Sequence, residues 1–310
     1  MIQPPSQPEP TWWRRTQAPT WAVAVAVYAG FALTTWYYHA LPWWLVLPLG
    51  AWLVCWQGSL QHEVLHGHPT RYQWLNDLLG YPSLWLWLPY RVYRESHLIH
   101  HHDPDLTIPG VDPESYYVTA EAWTRMSAPR RWLLWFRNTL AGRLLSGPAV
   151  AYVELAQVEG RRFTAGDRSH LVHWLVHIPV VAAVLTWAVG VCGIPFWAYV
   201  LCFAYPGLSL TMLRSYAEHR TAERPSDRTG VVESGPLFSL LFLNNNLHSP
   251  HHADARLAWY DLPAWYSENR EAFLGGNGGY VFAGYREQFS RFMFKPKDSP
   301  VHPYVEADSA

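Results

Sequence analysis

Histidine is the residue type whose placement here could do chemistry: the 310-residue chain has 16, bunched rather than scattered. The first bunch is His62-Glu63-Val64-Leu65-His66-Gly67-His68, in which His62 and His66 stand four apart and share one face of a helix. HEVLH also fits the pattern of a zinc metalloprotease, two histidines around a glutamate. The second bunch is Arg94-Glu95-Ser96-His97-Leu98-Ile99-His100-His101-His102, where positions i, i+3 and i+4 are expected to converge on one face. The third is Asn244-Asn245-Asn246-Leu247-His248-Ser249-Pro250-His251-His252. There Ser249 can cap a helix and Pro250 can occupy its first turn, so all three imidazoles are expected to point at one centre. A lone histidine in Arg214-Ser215-Tyr216-Ala217-Glu218-His219-Arg220 makes a ninth candidate ligand.

Imidazole suits zinc, copper, iron and nickel, and zinc usually takes four ligands, so eight or nine histidines exceed what one zinc ion can use. Two metal ions are the natural reading. Soluble di-iron bundles combine glutamates with Glu-x-x-His pairs, and no matched set of that kind is present.

The elements that must position these groups are apolar. Half the residues are apolar and 15% are charged, a low charged fraction for a soluble domain. Four uncharged stretches, about 21–38, 42–60, 171–191 and 195–213, approach the ~20 residues that cross a bilayer core. Short connections join the first two and the last two, so the expected fold is an all-α integral membrane protein of four transmembrane helices in two hairpins, with a His-rich helical cap. Those connections lack Lys and Arg, which places both termini and every histidine bunch on the cytoplasmic side. Residues 1–19 are expected to form a flexible cytoplasmic tail, 20–275 the membrane domain, and 276–310 a peripheral polar tail. Tyr81–Tyr93, broken by Pro82 and Pro89, is too short for a span and is expected at the interface. Trp12, Trp13, Trp43 and Trp44 flank span ends, where aromatic belts sit.

A net charge of -1 and the lack of a basic motif exclude nucleic acid as a partner. Cys55, Cys192 and Cys202 are isolated within apolar stretches, so neither disulfides nor a thiolate metal site has the spacing it needs. His170, His173 and His177 have helical spacing at the start of the third span but no neighbouring carboxylates in sequence; they are expected to face the interface or the bundle rather than a metal.

On these three histidine boxes the sequence resembles the membrane fatty acid desaturases, whose hallmark is three such boxes on the cytoplasmic side of a four-span bundle. The resemblance runs from the first span to about Pro263. Leu106-Thr107, Asp112-Pro113-Glu114 and Trp259-Tyr260-Asp261-Leu262-Pro263 look like its bacterial members, which implies a bacterial inner membrane. It implies that the ligands are His62 and His66, then His97, His100 and His101, then His248, His251 and His252, with His219 as the extra histidine after the fourth span. It implies two non-haem iron ions, dioxygen as co-substrate, and desaturation of a fatty acyl chain in lipid metabolism. His102 and Asn244 to Asn246 are then supporting residues, with Glu63, Asp103, Asp105 and Asp254 as carboxylates that could orient ligands.

Rival readings remain at this point. A di-iron hydroxylase of a lipid or other hydrophobic substrate uses the same boxes. A zinc protease built on HEVLH would leave the second and third boxes unused. A metal transporter would line a path within its spans rather than gather histidines beyond their ends. No haem-binding, flavin or iron–sulfur motif is fused to the chain, so electrons would come from a separate ferredoxin, rubredoxin or cytochrome, guided by Arg130, Arg131, Arg161 and Arg162.

Overall fold

The computed structural model describes residues 2–4, 11–102 and 105–305. Among them the chain is mostly helical. Helices α1 (Ala18–Trp36) and α2 (Trp43–Leu65) form the first antiparallel pair, followed by a short α3 (Gln73–Gly80) and by α4 (Tyr90–His102), which carries the second histidine box. Next come α5 (Ala128–Arg137) and α6 (Leu140–Thr164). The second long pair is α7, Leu171–Val191 with a π-helical end from Thr186, and α8, Phe196–Glu218 with π-helical residues Val200–Ala204. Four shorter helices complete the cap: α9 (Pro236–Leu241), α10 (His248–Ala253), α11 (Leu262–Gly276) and α12 (Tyr285–Phe292). A small parallel pair, β1 (Val231–Val232) with β2 (Val281–Phe282), ties the chain before the third box to the C-terminal part.

Three helices, α1, α7 and α8, are long and apolar enough to cross a membrane. Helix α2 has 23 residues, and its middle is uncharged, but it is not apolar in the same sense. Its C-terminal half is Trp52 to Leu65, with Trp56, Gln57, Ser59, Gln61, His62 and Glu63 among its side chains. These polar groups have internal work. Gln57 donates to the Pro82 carbonyl at 2.5 Å and Gln61 to the Gly80 carbonyl at 2.6 Å, while the Tyr199 hydroxyl donates to the Leu84 carbonyl at 2.7 Å. Non-helical backbone deep in a bundle is tolerated where protein groups satisfy its carbonyls. Within the expected interfacial stretch Tyr81–Tyr93, side chains pack inward on the protein: Leu84 and Trp85 are buried, as is Tyr90 at the start of α4.

Small residues let α2 and α8 touch. A Cβ at Gly50 would stand 2.4 Å from the Cys202 carbonyl oxygen, and one at Gly207 would stand 2.5 Å from the Val54 Cβ. Such close backbone approach is a common way for membrane helices to associate. The core on the α1 side joins Val27, Phe31, Val54, Tyr199 and Phe203, while a second cluster joins Leu213 and Tyr216 of α8 to Phe242 and Phe282. The C-terminal end of α2 and the C-terminal end of α8 are thus held on one side of the bundle, and histidine stands at both.

Candidate metal centre

Nine imidazoles from four places in the chain fall into two groups, each with ligand nitrogens within 4.8 Å of one another. The first group is His62 and His66 from the end of α2, His97 and His101 from α4, and His251 from α10. The second is His100 from α4, His219 just beyond α8, and His248 and His252 from α10. Neither box two nor box three points at one centre, which corrects the expectation from their spacing. Helix geometry explains the split. Residues four apart lie about 40° apart around the axis and stay together, as in the pairs 62/66, 97/101 and 248/252, whereas the third histidine of a box lies about 100° from its neighbour and faces the other group.

The groups share a wall. The rings of His101 and His252, one from each group, stack with centroids 4.1 Å apart and 13° between planes. Within the second group the Nε2 atoms of His100 and His248 each stand 3.0 Å from Nε2 of His219. In the first, His251 Nε2 lies 3.1 Å from His101 Nε2.

Ring orientation is set from outside. His100 Nδ1 donates to Asp112 Oδ1 at 2.9 Å, and His97 Nδ1 donates to Glu114 Oε1 at 2.9 Å. His248 Nδ1 donates to Asn245 Oδ1 at 3.0 Å, and Asn245 Nδ2 in turn reaches His62 Nε2 at 3.2 Å. An imidazole whose Nδ1 proton is taken by a carboxylate or amide presents a lone pair at Nε2. Among the described residues, His66 Nε2, His97 Nε2 and His219 Nδ1 are buried without a hydrogen-bond partner. Buried nitrogens in this state, converging with others of their kind, are what a cation needs and what a hydrogen-bond network avoids.

The sequence profile of the family described as fatty acid desaturase matches residues 38–284. The chain belongs to the fatty acid desaturase family. It is accordingly an oxidoreductase. No curated protein matches it.

Electrostatics in this desaturase-family site favour neutral donors. Burial first, then repulsion from neighbouring imidazolium charge, lowers His101 to about 2 and holds His219, His248, His251 and His252 well below the ordinary histidine value. His100 runs the other way: burial opposes its charge, but Glu114, Asp112 and Glu218 outweigh that and raise it to about 9. Burial pushes the Glu114 carboxyl up, yet His97 and His100 bring it below the usual carboxylate range. A cation held by the second group would need His100 in its neutral, deprotonated form.

The remaining candidates lie around the site in different ways. Glu63 is buried, but its carboxylate accepts the Trp259 N–H at 3.2 Å and faces His68 at 3.9 Å, rather than either histidine group. His68 itself bonds Gln17 and the Arg256 carbonyl. His102 turns back to the Leu98 carbonyl at 2.6 Å. Asn244 donates to the Trp259 carbonyl and Asn246 to that of Val232, so of the three asparagines only Asn245 touches imidazole in the described contacts. Asp254 caps the Arg256 N–H, and Asp103 lies outside the described residues. Asp112 and Glu114, which hold His100 and His97, were visible in sequence only as a stretch after box two. What identifies them is the fold of that loop: Asp112 also accepts the backbone N–H groups of Thr107 at 2.7 Å and Glu114 at 2.9 Å. An open cleft of about 580 Å³ reaches the site, lined by His66, His101 and His252 together with Leu65, Leu98, Arg94 and Arg256.

Proposed function

We propose that the chain is a four-span membrane desaturase that holds two iron ions on its nine clustered imidazoles and, with dioxygen, introduces a double bond into a fatty acyl chain. The observation that carries this reading is the pairing of a five-imidazole group with a four-imidazole group in a desaturase-family chain. The donors fit such ions: they are buried, neutral in the main, and offer unpartnered ring nitrogens. His62, His66, His97, His101 and His251 would hold one iron, and His100, His219, His248 and His252 the other. Bound there, the iron pair supplies with dioxygen the oxidising power to break an unactivated C–H bond, which no side-chain acid or base can do alone.

The protein's own residues orient, exclude and admit. Asp112 and Glu114 fix the tautomers of His100 and His97, and Asn245 links His248 to His62 so that the two groups keep a constant relation. Leu65 and Leu98 give the cleft an apolar wall for the acyl chain, while Arg94 and Arg256 supply positive charge for an anionic headgroup. A zinc protease reading has less support, because Glu63 is engaged with Trp259 and the HEVLH histidines share their group with three from boxes two and three.

In this reading α2 is the fourth span, paired with α1 as α7 is with α8. At 1.5 Å per residue its 23 residues cover about 35 Å, enough for a bilayer core. The absence of Lys and Arg from the two hairpin connections supports a cytoplasmic side for both termini and the histidines. Residues 20–275 form the catalytic unit. Electrons come from a separate ferredoxin, rubredoxin or cytochrome; Arg130 and Arg161 are exposed and available to it, whereas Arg162 is paired with Asp167 at 2.7 Å.

The test is metal content and product together. Detergent-solubilised protein should carry two irons per chain, with loss in both His100→Ala and His251→Ala. Under dioxygen with reductant and donor, an acyl substrate should become lighter by two hydrogens; a product heavier by one oxygen would mean hydroxylation. One zinc, unchanged in both variants, would overturn the di-iron reading.

A further inference from the structure

Residues 276–310, expected as a peripheral polar tail, carry one of the most enclosed charges of the molecule. Lys297 has a side chain only 4% exposed. Its ammonium donates to the backbone carbonyls of Tyr216 at 2.6 Å and His219 at 2.5 Å, and to the Tyr116 hydroxyl at 3.0 Å. It also lies over the rings of Tyr116, Tyr216 and Tyr280 at 5.3–6.0 Å. A lysine buried at the carbonyl end of a helix is favoured by the helix dipole and by the acceptors the helix leaves unused. Here that end belongs to α8, and the last of those carbonyls is that of His219 itself. The Tyr116 hydroxyl adds its own hydrogen bond to the same carbonyl at 3.1 Å.

Five residues on, the same segment reaches the other side of the group. The backbone of Val118 pairs with Pro300 and His302 through bonds of 3.0 Å each. His302 Nδ1 accepts the Tyr304 N–H at 3.2 Å, which leaves Nε2–H to donate to the Thr107 hydroxyl at 3.1 Å. Thr107 is a β-branched residue at φ 73°, a conformation that needs outside support. Its N–H holds Asp112 Oδ2 at 2.7 Å, and Asp112 Oδ1 holds His100. One stretch, Lys297 to His302, therefore braces both His219 and His100, whose Nε2 atoms are 3.0 Å apart. The first group stands on α2, α4 and α10 and has no equivalent of this brace in the described contacts.

We propose that the segment Lys297–His302 is a clamp that sets the geometry of the second histidine group, with Lys297 and His302 as positioning residues for the metal bound there. The inference rests on the two-metal reading above. It requires that loosening the clamp weakens one of two metal sites and spares the other.

The experiment is titration of metal-free full-length protein with Fe(II) under anaerobic conditions, and in parallel with Co(II), whose visible absorption reports ligand geometry. Lys297→Met and His302→Ala should each keep one tight site and bind the second metal about 10–100-fold more weakly, the range typical for residues that orient ligands. His302→Gln, which retains a donor for Thr107, should recover most of the second-site affinity. Helix content by circular dichroism identifies a variant that has failed to fold; if Lys297→Met does so, the His302 pair carries the test. Parent-like binding of both metals in His302→Ala, or equal weakening of both sites, would overturn the clamp. A parent protein that binds only one metal would instead sink the two-metal reading on which it stands.

Discussion

Two sets of histidines in this protein share helical spacing and differ in what their nitrogens meet. In the metal-centre groups, ring nitrogens converge on one another and several have no other partner. Near the start of α7, His170 Nδ1 bonds Glu159 at 2.9 Å, His173 Nε2 bonds Glu95 at 2.9 Å, and His177 Nε2 meets the Leu86 carbonyl at 3.2 Å. The carboxylates missing from the local sequence arrive from α4 and α6. Glu159 also accepts the Trp174 indole at 2.7 Å, so this set closes its own network and ties α7 to α6. Spacing alone makes a candidate ligand; an unanswered nitrogen makes a site.

The sharpest way to break that contrast is to exchange one member of each set. His251→Ala should lose one metal and lower activity by more than the 10–100-fold typical of supporting residues, while His173→Ala should keep both metals and an activity within about twofold of the parent. Equal metal loss in both, measured by elemental analysis, would erase the distinction. Asp112→Asn should come next in size: it keeps the shape but not the charge that holds His100 and Thr107, and should weaken the second metal about 10–100-fold with the first unaffected.

Acid offers a smaller and graded test on the metal-free protein. His101, His219, His248, His251 and His252 are held below the unfolded histidine value of 6.5, so the unfolded state takes up protons first and stability falls as pH drops below about 6.5. His100, raised to about 9, has the opposite sign: its contribution is fully present below 6.5 and is lost as pH rises through 9. With more groups lowered than raised, melting temperature should fall steadily from pH 7 to pH 5, and a flat profile would mean that the clustered imidazoles are more solvated than the fold implies. The smallest effect is expected at the other set, where Glu159→Gln should cost about 1–3 kcal/mol of stability by weakening two buried charge-assisted bonds, with metal content unchanged.

The three boxes, the long apolar helices and the family were all legible along the chain, because periodicity and bunching are local properties. Which imidazole joins which group was only half legible: the i, i+4 pairs stay together as spacing demands, but the assignment of His251 to the first group and His100 to the second depends on how the folded chain sets α4 and α10 against each other. Gln57 and Gln61 answer the carbonyls of Pro82 and Gly80, partners that nothing along the chain announces. Asp112, Glu114, Lys297 and His302 act through loops that only the folded chain brings to the histidines. Long-range hydrogen bonds of this kind leave no periodic trace.

The close crossing at Gly50 and Gly207 makes the α2–α8 pair a pair of levers on a shared fulcrum. Gly50 and His62 are twelve residues apart, a lever arm of about 18 Å at 1.5 Å per residue. A tilt of about 3° at the fulcrum, as an added methyl group could force, moves the far end by about 1 Å, about twice the ~0.5 Å within which a functional site must be held. A substitution at this crossing, touching no histidine, would therefore be read out at the far end of α2 as a change in the geometry of the histidine groups.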